Sequence, residues 1–142
     1  MRSPGFTLLE LVTAMALAGV LAATGLIRLP ALVEGARLAG AARTVATSLR
    51  LARGRALAVG AAVEVRFDAL RRGCETRDQS GAVVAWHPLP AGVGLAALPA
   101  RGRVLFGGLG TAENATVTLA AGSRTRSVIV NQRGRVRLCA LM

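Results

Sequence analysis

The periodicity of hydrophobic and polar positions changes twice along this chain. From Phe6 to Ile27 apolar and small residues run for 22 positions in which Glu10 is the one ionisable side chain. As a helix this stretch is about 33 Å long, enough to cross the hydrocarbon of a bilayer, so residues 6–27 read as a transmembrane helix. After Pro30 the spacing becomes amphipathic. Leu38, Ala42, Val45, Leu49, Ala52, Ala56 and Val59 recur at alternating intervals of four and three, with Arg43, Thr47 and Arg50 on the opposite side. Residues 28–60 are therefore the amphipathic continuation of one long helix, which stops at Gly60. Gly19, Gly25 and Pro30 are the places where that helix can bend. Its Ala-rich stripe suits close approach of a sheet.

From Ala61 the period shortens to two. Val63, Val65 and Phe67 alternate with Glu64 and Arg66, which puts the two classes on opposite faces of a strand. Further strands are expected at 82–86, 93–96, 103–106, 116–120, 126–130 and 135–139, separated by Gly- and Pro-rich connectors. The predicted class is α+β: one helix packed on antiparallel β-sheet, with residues 61–142 as the β-rich part.

Composition narrows the picture. Of 142 residues, the 115 beyond Ile27 suffice for one compact domain. All 18 basic residues are Arg, against 7 acids, for a formal net charge of +11. Codon bias can exchange Lys for Arg, but it does not explain the shortage of acids, and the positive field suggests a polyanionic partner. Enzymatic chemistry has little support. The sole histidine, His87, sits between Trp86 and Pro88, its nearness to Asp78 and Ser80 is ordinary for ten positions of chain, and the glycines at 107–110 lack the Lys and Ser or Thr of a phosphate loop. No catalysis, cofactor or metal site is expected.

The N-terminus carries the sharpest signal. A secretory signal peptide has a longer basic head and a cleavage site after its apolar core, whereas only Arg2 precedes this run. A carboxylate within a span costs a few kcal/mol or more, so Glu10 needs a partner or a task. Gly5-Phe6-Thr7-Leu8-Leu9-Glu10 resembles the prepilin signal of type IV pilins and type II secretion pseudopilins. The resemblance implies that residues 1–5 are a leader removed by a prepilin peptidase. It also implies that the new amino group of Phe6 is methylated, and that Glu10 meets the Phe6 amine of a neighbouring subunit during assembly. It places the chain as a single-pass protein of the bacterial inner membrane with its C-terminal domain in the periplasm, incorporated into a pilus or pseudopilus.

The remainder is similar to the GspH/FimT branch of minor pilins and pseudopilins. The resemblance rests on Leu51-Ala52-Arg53 before Ala56, on Val63 to Phe67, on Val104-Leu105-Phe106 with the glycines that follow, and on Asn131-Gln132-Arg133-Gly134-Arg135. It implies a type IV pilin-like fold and other pilin or pseudopilin subunits as partners. Cys74 and Cys139 lie 65 positions apart and form no metal or redox motif. A periplasmic location makes a disulfide between them the natural expectation, worth about 4 kcal/mol by loop entropy; two unpaired thiols are the alternative.

The tail concentrates Arg124, Arg126, Arg133, Arg135 and Arg137, and no acid follows Glu113. A two-residue loop at Gln132 and Arg133 would set Arg126, Arg135 and Arg137 on one face, in position to hydrogen-bond successive phosphates. A different loop length reverses that face but still aligns Arg135 with Arg137. Gly134-Arg135-Val136-Arg137 also resembles the Gly-Arg-x-Arg element of DNA-binding FimT-type pilins, which would make Arg135 and Arg137 phosphate ligands with Arg133 nearby. The alternative is an outer sheet face of arginines that meets solvent or acidic neighbours in a filament. Two roles follow: a minor subunit that initiates or caps a secretion pseudopilus or pilus, or a minor pilin that captures DNA.

Overall fold

The computed structural model describes residues 7–141, the side chains of 24–28 and 140–141 excepted. Helix α1 spans Leu8–Val59. It begins at Thr7, whose Oγ1 accepts a hydrogen bond of 3.3 Å from the backbone N–H of Glu10, so Thr7 and Glu10 hold the first and last positions of a capping box. Pro30 lies inside the helix and removes one backbone donor without ending it. At the far end Gly60 takes φ +68°, the left-handed cap expected there.

The chain divides into two compact units, residues 1–33 and 34–142. In the first, large apolar side chains are exposed all round the helix, among them Leu8, Leu9, Leu11, Val12, Met15, Leu17, Val20 and Leu21. Among the described residues no helix is long and apolar enough to cross a membrane; the span expected at 6–27 begins at Phe6, outside them.

In the second unit eight strands follow the helix: β1 Val63–Asp68, β2 Gly73–Arg77, β3 Val83–Pro88, β4 Gly94–Ala97, β5 Arg103–Phe106, β6 Ala115–Ala121, β7 Arg124–Val130 and β8 Val136–Leu141. They form two antiparallel sheets, one ordered β3-β2-β1-β5 and the other β4-β6-β7-β8. One core joins them. Leu38, Ala42, Val45, Leu49, Ala52 and Ala56 of α1 are buried with Val63, Val65, Phe67, Val104 and Phe106 of the first sheet and Val117, Leu119, Val128 and Val130 of the second. The helical stripe thus lies as its spacing predicts, except that Val59 is exposed at the helix end. Small side chains at 41, 42, 46, 52 and 56 bring the helix backbone close to the sheets.

Strand β2 departs from expectation. Gly-Cys-Glu-Thr-Arg has no apolar alternation, yet it is a central strand, paired with both β1 and β3. Cys74 and Thr76 turn inward, whereas Glu75 faces outward, where its carboxylate accepts a 2.7 Å hydrogen bond from Arg77. On the same outer face Glu64 pairs with Arg66 at 3.1 Å and Arg103 at 2.8 Å. Asp78 closes the β2–β3 turn, accepting from the backbone N–H groups of Ser80 and Ala82 and from the Ser80 hydroxyl at 2.6 Å. These bonds, the hydroxyl's first, together with the charge of Arg55, hold its carboxyl below the ordinary value against the opposing effect of desolvation.

Candidate functional site

The C-terminal hairpin carries the basic cluster, and its turn fixes which arginines meet. Asn131 donates its N–H to the Arg135 carbonyl at 3.1 Å, Gly134 donates to the Asn131 carbonyl at 2.8 Å, and the Arg135 N–H is taken by Asn131 Oδ1 at 2.8 Å. With Gly134 at φ +68°, this is a three-residue loop, Gln132-Arg133-Gly134, ending in a bulge glycine. The two-residue loop expected from the sequence is therefore corrected by one position: Val130 faces Val136, and Ile129 faces Arg137.

That single residue redistributes the arginines, because side chains alternate between faces. Arg135 and Arg137 lie on the outer face of the second sheet beside Asn131 and Ile129. Arg126 goes to the opposite face, paired with Leu119 and Ala140. Arg124 lies against α1, its Nη1 2.6 Å from where a β-carbon on Gly35 would stand. Arg124 and Arg126 are thus separated from Arg135 and Arg137. Arg133 is exposed on the loop itself. Arg133, Arg135 and Arg137 instead line an open cleft of about 420 Å³ with Asn114, Asn131 and Gln132. No carboxylate and no aromatic ring is among these lining residues. Three guanidinium groups and three carboxamides offer many donors to phosphate or carboxylate oxygens, and no stacking platform.

Helix α1 holds this hairpin in place. Arg53 Nε donates to the Gly110 carbonyl at 3.0 Å, and Arg50 Nη2 reaches the Val136 carbonyl at 3.4 Å. Gly134 packs so closely on this junction that a β-carbon there would collide with the Gly110 carbonyl oxygen and stand 2.7 Å from Arg53 Nε. The backbone N–H of Ala112 adds a bond of 3.0 Å to the Gln132 carbonyl. In the sequence Arg53 is simply part of the helix end; nothing in its local pattern links it to Gly110, 57 positions away.

The family model for type II transport protein GspH matches residues 41–134. The chain belongs to the GspH family. The match ends at the bulge glycine, so Arg135 and Arg137 lie just beyond the matched residues. A second model, the prokaryotic N-terminal methylation motif, matches residues 1–26 and includes Gly5, Phe6 and Glu10. Among solved structures, this GspH-family chain is similar to the type IV minor pilin FimU of Pseudomonas aeruginosa at 20% identity, covering 75% of this chain and 91% of that one with a TM-score of 0.62. It is also similar to the minor pseudopilin EpsH of Vibrio cholerae at 17% identity, covering 73% and 97% with a TM-score of 0.60. Its fold is that of type IV minor pilins and minor pseudopilins. No curated protein sequence matches it.

Other residues singled out in the GspH-family chain are placed as follows. Gly5 and Phe6 lie outside the described residues. Glu10 is exposed in the first turn of α1, where an acidic side chain also complements the helix dipole. The disulfide expected between Cys74 and Cys139 is not formed: both thiols are free, Cys74 buried in the first sheet and Cys139 exposed on β8 of the second. The alternation of β2 turns Cys74 into the core, where burial pushes its thiol up to about 11 against a smaller opposing hydrogen bond with Ser48. His87 stands across from Cys74 on β3 and lines an apolar cleft with Leu51, Ala52, Arg55, Thr76 and Ala85.

Proposed function

We propose that this GspH-family protein is a minor subunit of a type II secretion pseudopilus or type IV pilus, with a structural role in initiating the fibre or building its tip. The observation that carries this reading is the first unit of α1. Eight large apolar side chains from Leu8 to Leu21 are each more than half exposed on the isolated chain. Such a surface is stable only against lipid or other apolar helices. The methylation motif on the same segment supports cleavage between Gly5 and Phe6 by a prepilin peptidase, methylation of Phe6, residence in the inner membrane before assembly, and a periplasmic location for the β-rich domain. Glu10, exposed one turn into the helix, is then available to the Phe6 amine of an adjacent subunit, where each buried charge neutralises the other. In a strain making the fibre, Glu10→Ala should leave the protein in the inner membrane and deplete it from sheared filaments. Normal incorporation of that variant would overturn the pairing.

The cleft formed by Arg133, Arg135 and Arg137 favours a second role within the same assembly, capture of DNA. The cleft is cationic, lacks lining carboxylates and lies on an exposed hairpin. With no lining aromatic ring, binding is expected to be sequence-tolerant and strongly weakened by salt. The double substitution Arg135→Gln and Arg137→Gln should lower affinity and reduce the slope of log K against log salt by about 2, one for each phosphate no longer neutralised. An unchanged slope excludes this role and leaves the structural one.

A further inference from the structure

Each sheet has two edge strands, and three of the four are short or interrupted. In the first sheet β3 ends in Pro88 and has a register shift at its pairing, and β5 has four residues. In the second sheet β4 has four residues and a register shift. Strand β8 is different: six residues pair with β7 in unbroken register, with no proline and no bulge. The protection this edge carries is charge, from Arg137, and the reach of Arg50 to the Val136 carbonyl at its first residue.

The hairpin geometry says which backbone groups β8 leaves free. The Asn131–Arg135 pair is hydrogen-bonded, so on alternation Arg137 and Cys139 also bond to β7, while Val136, Leu138 and Ala140 direct their N–H and C=O groups away from it. The Arg50 guanidinium reaching the Val136 carbonyl fits this orientation. Leu138 and Ala140 therefore present an open pair of ladder positions. Side chains beside that edge are of two kinds. Leu138 faces the core side yet remains 41% exposed. Arg135 and Arg137 occupy the outer face.

We propose that β8 is a strand-addition site for an extended segment of another protein in which apolar and acidic residues alternate. Backbone bonds to Leu138 and Ala140 supply the pairing, an apolar side chain covers Leu138, and carboxylates on the other face meet Arg135 and Arg137. A second copy of the chain is a poor occupant, because β8 contains no acid and would leave Arg135 and Arg137 without carboxylate partners. This inference does not depend on DNA binding at the cleft.

The test uses the full chain in detergent micelles and a capped (Val-Glu)₃ peptide, with hydrogen exchange read at single amides. Peptide should slow exchange of the Leu138 and Ala140 N–H groups by about tenfold or more and leave those of Arg137 and Cys139 unchanged. A (Val-Lys)₃ peptide, or (Val-Glu)₃ with alternate backbone nitrogens methylated, should give no protection. Arg137→Glu should weaken the response to (Val-Glu)₃. The proposal is overturned if (Val-Glu)₃ gives no protection at Leu138 and Ala140, or if all three peptides protect equally. Protection that rises with protein concentration in the absence of peptide would replace it with self-association.

Discussion

Replacing Gly134 with Ala separates two reasons for a glycine at the hairpin turn. The first is conformational: φ of +68° costs an L-residue about 1–2 kcal/mol. Gly81 shares this property at φ +83°, but a β-carbon there meets nothing within 4 Å. The second reason belongs to Gly134, where the new carbon would collide with the Gly110 carbonyl oxygen beside Arg53. A backbone oxygen cannot swing aside, so the hairpin must shift and loosen the 3.0 Å bond from Arg53 to Gly110. A hydrogen bond from a charged donor is worth about 1.5–3 kcal/mol. Gly134→Ala should therefore cost about 2.5–5 kcal/mol and Gly81→Ala about 1–2. Equilibrium urea unfolding of the full chain in detergent, followed by fluorescence of Trp86, the only tryptophan, measures both. Equal losses for the two variants would refute the packing argument and leave only backbone conformation.

Other consequences follow from the outer face of the first sheet and from the cysteines. Burial of Glu64 works against its ionisation, but hydrogen bonds and charge from Arg66 and Arg103 outweigh it and hold its carboxyl below the ordinary value of 4.5. A lowered pKa means stability that is present above about pH 4.5 and is lost as the pH falls through the folded value. Glu64→Gln should flatten the acid limb of the stability profile below about pH 4.5, and an unchanged limb would assign acid sensitivity elsewhere. Because Cys74 is buried with a raised pKa and Cys139 is exposed, a thiol reagent at pH 8 should titrate one thiol per native chain and two in denaturant. A value of zero in denaturant without reductant would restore the disulfide.

What the sequence discloses and what it hides follow from the range of the interactions involved. The helix stripe, its stop at Gly60 and most strands depend on spacing within one element, and these positions match. Strand β2 escapes a reading by pattern because Cys74 is its one apolar side chain; its central place comes from pairing with β1 and β3 and from the Glu75–Arg77 bond. The expectation of a disulfide rests on compartment alone, which says nothing about Cys74 and Cys139 falling in different sheets. The tail arginines show how a single residue of loop decides a site. Sequence composition reveals the cluster, but the bulge at Gly134 moves Arg126 away and leaves Arg133, Arg135 and Arg137 together. Arg53 and Asn131, which position that hairpin, act through bonds to Gly110 and Arg135 that no local pattern announces.

The most direct test of the filament-subunit account is the intact mass of the protein recovered from cells that make its prepilin peptidase. The account predicts a chain that begins at Phe6, lacks residues 1–5 and is one methyl group heavier than that sequence. A chain that still begins at Met1, or one cut beyond the apolar segment, would contradict it.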